Sequence, residues 1–184
     1  MTVTDEQLIQ TTLQGDERAF RELIKRYESR VASTVIGMLG ASPEAEDVGQ
    51  ETFIRFYNNL KDFRGEASVG TYLTRIAINL SLNELKRRKR KSLLFFRKLS
   101  DEDRDIPDGY ERGEFDDRQE LVQWAIRQLD PKFRSVVVLR LIDGYSTAET
   151  ADILKLPQGT VLSRLARAQK KLKELLSPYL GDLS

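Results

Sequence analysis

Two stretches of this chain carry side chains whose types and spacing suit chemistry on nucleic acid. The first is TYLTRIAINLSLNELKRRKRK, residues 71–91. Arg75, Asn79, Asn83, Lys86, Arg87 and Arg90 recur there near every fourth position, so a helix sets them along one face. Amides pair with base edges, and cations hold phosphates. The six cations in succession at 86–91 cannot all face one way, so part of that run is solvated or wraps a backbone. The second stretch is LKLPQGTVLSRLARAQKKLKELL, residues 154–176, with no acid before Glu174. Ser163, Arg164, Arg167, Lys170 and Lys171 lie outside an apolar stripe of Val161, Leu165, Ala168, Leu172 and Leu175. A solvated basic face explains either helix taken alone. Context has to decide.

A third stretch, PEAEDVGQETFIRFYNNL (43–60), sets Asp47, Gln50, Glu51 and Arg55 opposite an apolar face of Val48, Phe53, Phe56, Tyr57 and Leu60. By spacing alone it is an ordinary exposed helix. Phe63 and Tyr72, near the basic helix, have the type that stacks on unpaired bases, although either alone reads as core.

Composition removes much other chemistry. The chain has no cysteine and no histidine, so disulfides, thiolate metal sites and the commonest general base are excluded. No tight carboxylate constellation stands out. The expectation is a protein without catalysis, metal or cofactor. The N-terminus is polar, and no run approaches the ~20 apolar residues of a membrane span. A cytoplasmic protein without membrane insertion follows as the expectation. The net charge of +1 hides segregation: residues 86–99 hold 8 basic and no acidic side chains, whereas 100–118 hold 3 against 9. Separate charged blocks point to separate partners, the basic ones to nucleic acid.

The elements that must position these residues are helices almost throughout. Thr4 to Gln7 forms a capping box, and Leu8, Ile9 and Leu13 begin an apolar stripe. Phe20, Leu23, Ile24, Tyr27, Val31, Val35, Ile36 and Leu39 continue at three-and-four spacing until Gly40. Ser42-Pro43 starts a third helix that should reach about Leu60, and a fourth starts near Thr71. The polar, acidic, aperiodic SDEDRDIPDGYERGEFDD reads as a linker. Beyond it, four shorter helices are expected: about 118–129, one after Asp130-Pro131 that ends before Gly144, one from the Ser146–Glu149 capping box to near Leu154, and the basic helix. The last two, joined by Lys155-Leu156-Pro157, make a helix-turn-helix. Pro157 is expected to open the second helix, and Gly159 to let it approach the first closely. The early residues of such a helix usually reach base edges, so the capping box, turn and glycine together favour DNA.

GDERAFRELIKRYESRV, EAEDVGQETFIRFY, FRGEAS with TYLTRIAINLSLNELKRRKR, and GYSTAETADILKLPQGTVLSRLARAQKKL, in this order, resemble the signatures of a bacterial RNA polymerase sigma factor of the two-domain extracytoplasmic-function (ECF) class. The resemblance implies an all-α fold: a sigma region 2-like bundle at 1–97, an acidic flexible linker at 98–118, and a sigma region 4-like helix-turn-helix domain at 119–184. It implies core polymerase as partner, through the clamp coiled coil of the largest subunit and the flap, together with promoter DNA and, for some members, an anti-sigma factor. By position, Asp47, Gln50 and Glu51, with Arg55 beside them, match the clamp-contacting residues. Arg64, Gly65, Glu66, Ala67 and Ser68 match the loop that captures a flipped minus-ten base. Tyr72, Arg75, Asn79, Asn83, Lys86, Arg87 and Arg90 cover the melted-strand and duplex-edge surface. Thr160, Ser163, Arg164, Arg167, Lys170 and Lys171 cover the minus-thirty-five readers.

This sequence departs from the family pattern at several points. Tyr72 stands where tryptophan is usual, and Val69-Gly70 replaces a phenylalanine and a polar residue, which is expected to loosen that loop. Asn83 stands where aspartate is common. Leu162, Ala166 and Gln169 replace cations or an aromatic in the recognition helix, so two or three DNA contacts are lost there. Two other functions fit parts of the pattern: a two-domain helix-turn-helix regulator acting without polymerase, and a helical adaptor binding only protein. The clamp helix and minus-ten loop speak against the first, and the basic blocks against the second.

Overall fold

The computed structural model describes residues 3–99 and 118–180, and every regular element in them is helical. Most of the acidic stretch expected as a linker, 100–117, lies outside the described residues. Helix α1 (Asp5–Leu13) starts on the predicted box, with Thr4 and Gln7 capping each other's backbone amides. Helix α2 (Glu17–Leu39) is capped by Asp16 and stops at Gly40, whose φ of 77° belongs to the left-handed region that glycine tolerates. Helix α3 (Pro43–Asn58) is capped by Ser42, and a short 3-10 turn, Leu60–Asp62, follows it.

Helix α4 (Val69–Leu99) begins two residues before the expected Thr71. The Ser68 hydroxyl accepts from the Thr71 amide at 3.2 Å and sets the start. Val69 and Gly70 are thus buried in the first turn instead of loosening a loop. A Cβ at Gly70 would lie 2.7 Å from Arg30 Nη1 and 3.1 Å from the Tyr27 ring, so only glycine lets α4 meet α2 there. Leu23, Val31, Met38, Phe56, Leu73 and Ile78 fill the centre of this four-helix unit and are almost wholly excluded from solvent.

The C-terminal half comprises α5 (Arg118–Arg127), α6 (Pro131–Val137), a π-helical turn at Val138–Ile142, α7 (Thr147–Leu154) and α8 (Gln158–Leu180). Helix α5 ends two residues before the expected Leu129. The buried Arg134 explains that corner: its guanidinium donates to the carbonyls of Arg127 and Leu129. Burial pushes its pKa down to about 10, so it stays charged at neutral pH. Lys155 adopts the left-handed conformation (φ 53°) in the turn between α7 and α8.

Two expectations for that turn need correction. Pro157 precedes α8 instead of forming its first residue, and its carbonyl accepts from Thr160 and Val161. Gly159 lies in open space, since an added Cβ would meet nothing within 4 Å. The helices approach elsewhere, through Val136, Ala151 and Val161.

The two halves pack directly on each other. Val138, Leu139, Tyr145 and Ile153 belong to the same buried cluster as the N-terminal unit. Gly37 makes room: its added Cβ would stand 3.0 Å from Val138 Cγ2 and 3.3 Å from Ile142 Cδ1. Polar contacts surround this seam. Arg134 donates to the Met38 carbonyl at 2.7 Å, the Thr34 hydroxyl to Asp143 at 2.8 Å, and the Tyr145 hydroxyl to Thr74 at 2.9 Å.

Candidate nucleic-acid and polymerase interfaces

Between the 3-10 turn and α4, the loop 63–68 encloses a concavity of about 310 Å³ lined by Asp62, Phe63, Arg64, Gly65, Glu66, Ala67, Tyr72 and Arg75. Gly65 turns the loop at φ 71°. The Phe63 and Tyr72 rings meet edge to face at 5.2 Å, and each lies 5.9 Å from the buried Phe56. Both rings are therefore anchored in the core and also wall the pocket, which reconciles the two sequence readings. A cavity with an aromatic wall and two arginines at its rim suits one unstacked base and its phosphates.

Helix α4 carries the cationic stripe away from this pocket. Asn79, Asn83, Lys86, Arg87 and Arg90 are exposed along it. Arg87 donates to Glu84 twice, at 2.6 and 2.8 Å, and Arg87 with Arg88 holds the Glu84 carboxyl below its usual range. Arg88 turns inward to Ser42 (3.2 Å), Glu44 (3.3 Å) and the Leu39 carbonyl (3.4 Å). The run at 86–91 thus divides, with Arg88 clamping the bundle and Lys86, Arg87, Lys89, Arg90 and Lys91 facing water. Arg75 is tied up: its Nη2 lies 2.6 Å from Asp152 of α7 and its side chain is 25% exposed.

On another face, α2 and α3 form a groove of two adjoining concavities, about 620 and 500 Å³, sharing Ile24, Gln50 and Phe53. Asp47 is exposed, and Glu51 pairs with Arg55 at 2.8 Å. Gln50 borders the groove, so it does not stand opposite the apolar face. Tyr57 is half-exposed instead of core, edge-on to Phe20 at 4.8 Å. Sequence reasoning missed Phe20, Ile24 and Ile54 as surface residues of this groove. The available signal was the excess of apolar residues on α3, too many for one buried stripe.

In the helix-turn-helix, Ser146 and Glu149 form the predicted box at the start of α7. Val161 and Ala168 are fully buried, Leu175 nearly so, and Leu165 and Leu172 half-buried. Ser163, Arg167 and Lys170 are exposed, whereas Thr160, Arg164 and Lys171 are partly covered. The Ser163 hydroxyl donates to the Thr160 carbonyl at 3.1 Å, and Lys171 stands 3.8 Å from Glu174. Leu162 projects into solvent, 55% exposed. Among the described residues no group of carboxylates could hold a metal, and no helix is long and apolar enough to cross a membrane.

An all-helical chain with a basic helix-turn-helix, a second basic helix at an aromatic-walled pocket, and a separate apolar groove defines a class of DNA-binding protein that also docks on protein. Residues 23–91 match the family model for sigma-70 region 2, and residues 119–172 that for sigma-70 region 4. The chain is 33% identical to the RNA polymerase sigma-H factor of Pseudomonas aeruginosa, across 97% of its length and 96% of the relative's. It is 32% identical to the ECF RNA polymerase sigma-E factor of Escherichia coli K12, across 97% of both. The solved structure of CnrH in complex with the cytosolic domain of CnrY superposes with a TM-score of 0.66 at 26% identity, over 95% of this chain and 97% of that one. The chain belongs to the ECF group of sigma-70 factors.

Proposed function

We propose that this chain binds core RNA polymerase, directs it to promoters of a particular sequence, and opens the DNA there, with no catalysis of its own and within the cytoplasm. The N-terminal unit, about 1–97, docks on the polymerase clamp through Asp47, Gln50, Glu51 and Arg55 and the groove beside them. Its loop 64–68 takes a flipped minus-ten base, with Tyr72 as the wall. Arg75, Asn79, Asn83, Lys86, Arg87 and Arg90 follow the strand. The C-terminal unit, about 119–184, reads the minus-thirty-five element with Thr160, Ser163, Arg164, Arg167, Lys170 and Lys171, and the stretch 98–118 joins the two. The observation that carries this reading is the pocket at the head of α4, where an aromatic wall opens directly onto an exposed amide-and-cation stripe.

A regulator working without polymerase has no use for an open apolar groove with an acidic and amide border. That groove supports polymerase docking, and the structural likeness to CnrH, solved with the cytosolic domain of CnrY, supports an anti-sigma partner as well. Asp47→Ala with Glu51→Ala tests the docking role. Neither side chain is buried, so each substitution changes folding stability by less than ~0.5 kcal/mol. Affinity for core polymerase, measured by competition, should fall. Unchanged affinity would remove docking from α3.

A further inference from the structure

We infer that the seam between the two halves is an intramolecular lock: the free chain is closed over its own minus-ten surface, and promoter engagement requires the seam to open. The inference rests on the sigma-factor reading above and adds an order of events to it. Arg75 belongs to the strand-binding stripe and to the rim of the base pocket, yet its guanidinium is held by Asp152 at 2.6 Å. One helical face away, Thr74 is fully buried and accepts the Tyr145 hydroxyl at 2.9 Å. Helix α7, half of the helix-turn-helix, therefore lies against the flank of α4 where a melted strand must pass. The acid at its surface neutralises one of the few cations close to the pocket.

Distance makes the conflict sharper. The two promoter elements are named for positions about 25 base pairs apart, on the order of 80 Å of B-DNA. In this structure the two reading units touch through hydrogen-bonded side chains, so one closed chain cannot hold both elements. The joining segment 100–117 permits separation, because its residues fully extended would span up to ~60 Å.

The lock leaves the other partner unhindered. Every residue lining the α2–α3 groove comes from the N-terminal unit, on a face the C-terminal unit does not cover. Polymerase can therefore dock on the closed chain, whereas DNA cannot fully engage it. Closure subtracts from DNA affinity and not from clamp affinity, which biases the chain toward polymerase first and promoter second.

The chain has no cysteine, so introduced thiols are the sole ones. The Ser33 and Asp143 side chains approach to 3.4 Å across the seam and lie outside both binding surfaces. Ser33→Cys with Asp143→Cys, bridged by a short reductant-cleavable bis-methanethiosulfonate, should trap the closed form. The trapped chain should bind core polymerase as the reduced chain does but lose at least ~10-fold in initiation. The promoter is one selected from a random library with the reduced chain, and reductant should restore initiation. In parallel, spin labels at Gln10→Cys and Lys173→Cys, both exposed, report the separation of the halves. A single narrow distance in the free chain should lengthen when core polymerase and promoter are added. Thiols that fail to bridge, a broad distance distribution in the free chain, or full initiation by the bridged chain would each overturn the lock. Failure of the reduced chain to bind core or initiate would instead overturn the sigma-factor reading, and the free-chain distances would still decide closure.

Discussion

Arg75 shows how one side chain serves two arrangements, as a strand contact in the stripe and as an ion-pair partner of Asp152 at the seam. The recognition helix has no such conflict, and its two exposed cations should behave differently. Arg167 projects one turn after Ser163, opposite the buried Val161, and arginine pairs bidentately with guanine. Arg167→Ala should cost ~1–3 kcal/mol of discrimination at one base pair. Lys170→Ala should weaken all sequences alike and lower the salt slope by about one. Binding or transcription across a promoter library, measured at several salt concentrations, distinguishes the two. Equal sequence preference in wild type and Arg167→Ala would mean that another residue reads. At the seam, burial raises the Asp143 carboxyl above its usual range, against the hydrogen bonds from Thr34 and Ser33 and the field of Arg30. A raised pKa in the closed form means that closure takes up a proton. The stabilisation is fully present below the open-form pKa and is lost as pH rises through the closed-form value. Between about pH 4 and pH 7 the label-to-label distance should therefore shift toward the open form as pH rises, with Asp143→Asn flat across the same window. Tighter closure with rising pH would contradict the assignment.

At the scale of elements, the N-terminal unit is held by its core, and Phe56 is the residue most of it depends on. It is wholly buried, meets Phe20, Phe63 and Tyr72, and backs the base pocket. Phe56→Ala should cost ~3–5 kcal/mol by chemical denaturation. A loss below ~1 kcal/mol would mean that the aromatic cluster is not the core of this unit. Helices, capping boxes and buried stripes were legible in the sequence because three-and-four spacing and side-chain caps are local properties. The stripes on α2, α4 and α8 and the Thr4 and Ser146 boxes follow the expected residues. The partner of each stripe was not legible, because periodicity says which face is buried and not against what. One signal was present and unread: Val136, Val137, Val138 and Leu139 are all buried in succession. A single-sided helix leaves some of four consecutive residues in water, so this run already required cover on two sides. Val136 and Val137 face the C-terminal cores, whereas Val138 and Leu139 face the N-terminal unit. Glycine roles were misread for a similar reason. Gly159 has free space around it, while Gly37 and Gly70 make the close approaches. Which glycine sits at a crossing depends on tertiary placement alone.

For the whole molecule, the near-zero net charge conceals a division of labour among an apolar groove for polymerase, a basic helix with a base pocket, and a basic helix-turn-helix. The charge blocks alone point to weak DNA binding by the isolated chain, through repulsion by the acidic linker and N-terminal body. The seam supplies a second and more specific cause, since it occupies the minus-ten flank itself. The site residues on α3, α4 and α8 were legible as three separate surfaces, and their mutual occlusion was not. The most direct measurement of the central claim is reconstitution of the purified chain with core RNA polymerase on a randomised promoter library, with transcript 5′ ends mapped. The account predicts new start sites that appear only with the chain present, each downstream of a shared two-element sequence, and weak promoter binding by the chain alone at physiological salt. Identical start sites with and without the chain would contradict it, as would tight, specific promoter binding by the chain alone.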